Sequence, residues 1–166
     1  MKTLGFSLAI LMAGVLCSVD ADAQRRPVGR TTPKVVTSNV TQVRSGAEKV
    51  SIQIKNVTKF IYVLGGVASG IEIVDKDPRA NQAARSANEQ NKRDVLQAIR
   101  NLRAGLAALE VEFRTNNLLK RHLVHIQGIT ALSAQTEDLA SAGEFIEAGK
   151  PLLLVVEQLS DTLAAM

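Results

Sequence analysis

His122 and His125 are the side chains of this sequence whose chemistry points most directly to a metal. They are the two histidines of the chain, and a separation of three residues on a helix can turn both imidazoles toward one ion. The neighbouring Lys120 and Arg121 repel a cation, and no aspartate or glutamate lies between residues 112 and 137 to balance that charge. We therefore expect ordinary half-buried or interface histidines and predict no cofactor, with a metal or haem site at this pair as the alternative.

The stretch VLGGVASGIEIV, residues 63–74, places three glycines inside an apolar helical pattern. A phosphate-binding loop would show GxGxxG after a strand or GxxxxGK followed by Ser or Thr, and neither is present. Gly66 and Gly70 instead have the spacing that lets two helix backbones approach closely. The uncharged run between Lys59 and Glu72 has 12 residues, which span about 18 Å against a hydrocarbon core of about 30 Å. We therefore predict a helix and no transmembrane segment in the mature chain.

A second apolar face is predicted on this helix, opposite the stripe that passes through Leu64. Its members are small or β-branched, and they are Val63, Gly66, Gly70 and Ile73. A helix with two apolar faces contacts one neighbour through each of them. The favoured occupant of the glycine-containing face is another helix of the same chain. The alternatives are a partner protein or a second copy of the chain, and a ligand groove.

Basic residues are concentrated near the N-terminus of a chain whose net charge is +4. Residues 24–46 contain Arg25, Arg26 and Arg30 among their bases and no acid, whereas the charges of residues 47–166 balance. The segment also contains prolines and glycines, so we predict a flexible basic arm. Such an arm can contact an anionic envelope surface in a salt-sensitive way, although a solvated spacer is the favoured interpretation. Nucleic acid is not predicted, because the chain has no Trp and few other aromatic residues for base stacking.

The first 23 residues have the pattern of a cleaved signal peptide. Lys2 precedes an apolar run over residues 4–19, and Ala21-Asp22-Ala23 provides a small-x-small cleavage site. We expect an exported chain, periplasmic or extracellular, with retention of the segment as an anchor left open. Cys17, the only cysteine, would leave with the signal, which excludes disulfides and thiolate chemistry from the mature chain.

The remaining pattern predicts an all-α protein without a catalytic site. Apolar residues recur every three or four positions, without the GxSxG elbow of a serine hydrolase, and the acids are spread along helices. The alternation over residues 50–55 resembles a strand, but we extend the first helix through it. Asp77-Pro78 is interpreted as a helix start, Thr115-Asn116-Asn117 as a break and Gly149-Lys150-Pro151 as a boundary.

These boundaries define a single domain, residues 47–166, that forms an antiparallel bundle of about four helices. The predicted helices cover residues 48–75, 78–114, 117–140 and 151–164, with a short helical segment at 142–148. We predict a non-enzymatic binding or assembly module. The alternatives are a peripheral envelope protein that uses the basic arm and a metal- or haem-binding bundle.

Overall fold

The structure, a computed structural model, describes residues 34–166, and the side chains from Asn39 onward. The predicted signal peptide and the arginines of the basic arm lie outside this range. Over the described residues the chain forms four long helices and one short one and contains no strand, which confirms the predicted all-α bundle. The helices are α1 (Lys34–Lys76), α2 (Gln82–Thr115), α3 (Leu123–Ile126), α4 (Ile129–Ser141) and α5 (Gly149–Ala164).

Helix α1 begins at Lys34, inside the segment predicted to be a flexible arm. The prediction was wrong for residues 34–46, because this stretch has no proline and no glycine before Gly46. Its Val, Thr and Ser residues lower helix propensity by only a few tenths of a kcal/mol each. An ion pair of 3.1 Å between Arg44 and Glu48, one turn apart, adds a small stabilisation. Residues 50–55 are helical, which confirms the extension of the helix through the alternating pattern.

The turn between α1 and α2 is longer than predicted, so α2 does not begin at Pro78. The carboxylate of Asp77 accepts the backbone N–H of Arg79 at 2.8 Å, which closes a turn instead of capping a helix. The N-cap is Asn81, whose side-chain oxygen accepts the N–H of Ala84 at 2.8 Å. The helix ends at Thr115, which confirms the break predicted there.

The third predicted helix, residues 117–140, is interrupted. A 3₁₀ turn at Lys120–His122 leads into α3, and Gly128, with φ of +99°, separates α3 from α4. A left-handed residue stops the regular hydrogen-bond ladder, and glycine adopts that conformation without steric cost. Because the apolar spacing of the segment continues across Gly128, that spacing did not reveal the interruption of the helix.

The short helix predicted at residues 142–148 is absent, and the segment consists of turns. Gly143, with φ of +87°, ends α4. The N–H of Glu144 bonds to the carbonyl of Leu139 at 2.9 Å, and the N–H of Gly143 bonds to that of Ala140 at 3.1 Å. These two bonds form a Schellman motif, which satisfies carbonyls that the helix end leaves free. Helix α5 begins at Gly149, two residues before the predicted start.

The four long helices form a ring in which each helix contacts two neighbours. Helix α1 packs against α2 and α5, and α4 packs against the same two helices. Lys49, in the first half of α1, bonds to Glu112, near the end of α2, at 2.6 Å. Asp75, near the end of α1, pairs with Lys92, in the first half of α2, at 2.6 Å. The two pairs show that α1 and α2 run antiparallel, as their short connection predicted.

Two buried apolar clusters fill the ring. The larger one combines α1, α2, α5 and the region around α3, and its most enclosed side chains include Val57, Phe113, Leu119, Ile126 and Leu159. The second consists of Leu64, Ala68, Ile71, Ile99, Ala140, Phe145 and Ala148. Helix α1 contributes to both clusters through the same side, so its opposite side faces away from the bundle.

Candidate interaction surface on the first helix

The side of α1 that carries Val63, Gly66, Gly70 and Ile73, called here the glycine face, points away from the bundle. Val63 is 57% exposed and Ile73 is 65% exposed. A Cβ atom added to Gly66 or Gly70 would have no described atom within 4 Å. The favoured prediction, close packing of another helix of the same chain, is therefore wrong for the described residues. The spacing correctly indicated a second apolar face, but α2 and α5 both approach α1 from its other side.

A close approach at a glycine of α1 does occur, but at Gly46. A Cβ atom there would lie 2.7 Å from Cδ2 of Leu119 and 3.1 Å from Cε of Met166. Sequence reasoning missed this glycine, because it lies at the end of the segment interpreted as a flexible arm. The feature of the sequence that could have identified Gly46 is its position four residues before Val50, on the buried side of a helix that begins earlier than predicted.

Charged side chains flank the glycine face without interrupting it. Lys59 is exposed and forms no ion pair with the described residues. Tyr62, 85% exposed, lies beside Val63. The next charge along α1 is Glu72, whose side chain turns toward the segment before α5. Between Lys59 and Glu72 the outer side of α1 therefore carries no charged residue.

Glu72 has a structural role at the edge of this surface. Its carboxylate accepts the backbone N–H of Ile146 at 3.0 Å and a bond from Lys76 at 3.2 Å. The hydrogen bond from Ile146 is the main cause that holds the pKa of Glu72 below its ordinary value, and Lys76 adds to it. The charge therefore stabilises the turn that leads into α5, which explains an acid within an otherwise apolar run.

An apolar groove of about 340 Å³ lies next to the glycine face, between α1 and the start of α5. Its floor on α1 includes Gly65 and Ser69, and its wall includes Ile146 and Leu153. Ile146 is 52% exposed and Leu153 is 57% exposed. The small residues of α1 thus leave an indentation beside exposed apolar side chains.

The two histidines are not presented on one surface. His122 is buried, whereas His125 is exposed. Burial is the main cause that lowers the pKa of His122, and the charges of Arg121 and His125 lower it further. Within residues 34–166 no group of three or more His, Cys, Asp or Glu side chains is arranged to hold a metal. Arg25, Arg26 and Arg30, predicted to contact an anionic surface, lie outside the described residues.

Glu110 is a buried acid that the sequence reasoning did not single out. Its carboxylate accepts the N–H of Thr130 at 3.2 Å, the hydroxyl of Thr130 at 2.7 Å and a bond from Arg114 at 3.0 Å. Burial raises its pKa, but the hydrogen bonds from Thr130 and from the N–H of Gly128 outweigh this effect and hold the pKa below its ordinary value. The signal was its helical spacing from Leu106 and Phe113, which places it beside the apolar stripe.

Asn88 is a second buried polar residue, and it joins α1 to α2. Its amide donates to the carbonyl of Ile71 at 3.2 Å and to the carboxylate of Asp75 at 2.8 Å. Asp75 also pairs with Lys92 at 2.6 Å. A polar cavity of about 440 Å³ lies beside this network. The network uses the polar groups at the start of α2 to fix the packing of α2 on α1.

Neither a family model, nor a curated protein, nor a solved structure matches this chain. One described helix is long and apolar enough to cross a membrane by length and composition alone. This is Asn39–Lys76, whose most apolar window has a mean hydropathy of 1.5 and is 22% buried. A core helix passes the same test, and α1 packs against α2 and α5 through one side. The absence of a membrane span stays a prediction.

Proposed function

We propose that this chain is an exported, non-enzymatic binding or assembly module whose contact surface is the glycine face of α1. One observation carries the proposal: Val63 and Ile73 are exposed on either side of two glycines that no described atom approaches. Export rests on the N-terminal pattern of Lys2, the apolar run over residues 4–19 and the small residues before position 24.

The physical reason is the cost of leaving this face in water. Burial of apolar surface contributes about 25 cal/mol per Å², and contiguous exposed apolar patches mark interaction sites. The rim of the patch adds further apolar surface, because Tyr62 on α1 and Leu153 across the groove are also exposed. A partner that covers the glycine face can extend its contact over these side chains.

Three acids of the described residues support a structural role for their carboxylates rather than acid–base catalysis. General acid–base catalysis at neutral pH uses carboxyl groups whose pKa is raised toward 7. The pKa of Glu72, Glu110 and Glu137 is lowered in each case, chiefly by hydrogen bonds that join two segments of the fold, although burial opposes this effect. These acids stay ionised and stabilise the packing.

Photo-crosslinking in the producing cell tests the proposal. A photoreactive amino acid placed at Val63 of the full chain should give a discrete adduct, because a partner lies against that side chain. The matched control is Val111, an exposed valine on α2, which should give none. A failure to obtain an adduct at Val63, or equal labelling at both positions, contradicts the proposal.

A further inference from the structure

The glycine face and the charged residue beyond each of its ends form a palindrome in both spacing and chemistry. They succeed one another at intervals of four, three, four, three and four positions, and they are Lys59, Val63, Gly66, Gly70, Ile73 and Asp77. Read from either end, the order is a charge, a β-branched residue, a glycine, a glycine, a β-branched residue and a charge. The two charges have opposite sign. The centre lies at Ala68, on the buried side of the same helix.

A two-fold interface requires a surface that is complementary to itself. If two copies of α1 cross antiparallel about the centre at residue 68, Val63 of one copy lies opposite Ile73 of the other. Gly66 then faces Gly70, so the backbones approach most closely where no side chain intervenes. Alternating intervals of three and four residues are the spacing at which two helices interlock their side chains.

Charge distinguishes the antiparallel arrangement from the parallel one. The antiparallel crossing places Lys59 near Asp77 of the other copy, twice in each dimer. Both residues are exposed, and neither forms an ion pair with the described residues. Asp77 is the first residue after α1, and its carboxylate accepts the backbone N–H of Arg79. A parallel crossing places Lys59 near Lys59 and Asp77 near Asp77. Like charges at both ends disfavour that arrangement.

The rest of the bundle leaves room for this contact. The neighbours of α1 are α2 and α5, and both lie on the side of the buried stripe. The only acid between Lys59 and Asp75 on α1 is Glu72, whose carboxylate is engaged with Ile146 and Lys76. A Cβ atom placed at Gly66 or Gly70 meets no atom of another described segment within 4 Å.

We propose that a second copy of this chain docks on the glycine face, with the two α1 helices antiparallel and paired about Ala68. The inference rests on the proposed function, since it names the partner of that same surface. The dimer places the exposed side chains of Val63 and Ile73 against each other and pairs Lys59 with Asp77 across the axis.

Engineered disulfides test the register directly. In full chains that carry Cys17→Ser, Val63→Cys and Ile73→Cys are made as separate variants. Under mild oxidation, an equimolar mixture of the two should form a disulfide-linked dimer, because positions 63 and 73 lie opposite each other. Each variant alone should form none, since equal positions lie 10 residues apart along the axis, which is about 15 Å. A disulfide requires Cα atoms within about 7 Å.

The matched control replaces Val63→Cys by Val111→Cys, also an exposed valine, and its mixture with Ile73→Cys should remain unlinked. A disulfide in Val63→Cys alone indicates parallel pairing and overturns the proposal. No disulfide in any mixture overturns it too, provided that circular dichroism shows the native helix content. If the photo-crosslinked adduct at Val63 has the mass of a different protein or of a lipid, the proposed function stands and the self-association fails.

Discussion

Both faces of α1 carry aliphatic side chains, but the environments of the two faces are opposite. On the inner face, Val57, Leu64 and Ile71 are almost completely buried, whereas Val63 and Ile73 on the glycine face are more than half exposed. The difference between the faces is the size and continuity of their side chains. The inner face presents a large side chain at almost every turn, which fills the space between α2 and α5. The glycine face has two turns without side chains, so it offers contact area only to a backbone that comes very close.

Truncation of one side chain on each face should give the largest difference between the faces in the free energy of unfolding. Leu64→Ala should lower the free energy of unfolding by about 2–5 kcal/mol, because it removes buried methyl groups and leaves a cavity. Val63→Ala, one residue earlier, should change it by no more than about 0.5 kcal/mol. Urea denaturation of both variants at low protein concentration measures the contrast. Equal losses would mean that the glycine face is part of the core.

Alanine substitutions at the exposed glycines should change the free energy of unfolding by a smaller amount and with the opposite sign. Gly66→Ala and Gly70→Ala should each raise the free energy of unfolding by about 0.5–1 kcal/mol, because alanine favours the helix and meets no described atom. Gly46→Ala is the control and should gain less, since Cδ2 of Leu119 would have to move from 2.7 Å. The same Gly66 and Gly70 substitutions should weaken self-association, because each added methyl group enters the crossing. A loss of monomer stability at Gly66 would contradict the exposed face.

The sequence predicted the existence of both faces but not what covers them. Periodicity reports which side chains share a side of a helix, and it correctly grouped Val63 with Ile73 and predicted an all-α bundle. Which side receives the neighbouring helices depends on long-range packing. For α1 both neighbours pack on the side of Leu64.

The errors at helix boundaries have local causes. Gly128 and Gly143 interrupt the chain with left-handed conformations, which the apolar spacing around them does not reveal. Asp77 and Asn81 can each cap a helix, and the choice between them depends on where the turn closes. Glu110 and Asn88 were missed because their roles require partners from distant segments.

The smallest expected effect concerns Glu72, at the border between the two faces. Its pKa in the folded chain is lowered from 4.5, so its ionised form stabilises the fold. That contribution is fully present above the pKa of the unfolded chain and is lost as the pH falls through the folded pKa.

The Glu72→Gln side chain retains an oxygen that can accept the N–H of Ile146 but has no charge. The difference in unfolding free energy between wild type and Glu72→Gln should therefore be largest near pH 7 and shrink as the pH falls through the lowered pKa of Glu72. Urea denaturation across this range tests it, with Glu157→Gln on the exposed side of α5 as the control. A difference that does not change with pH would show that the turn before α5 depends on the shape of the side chain and not on its charge.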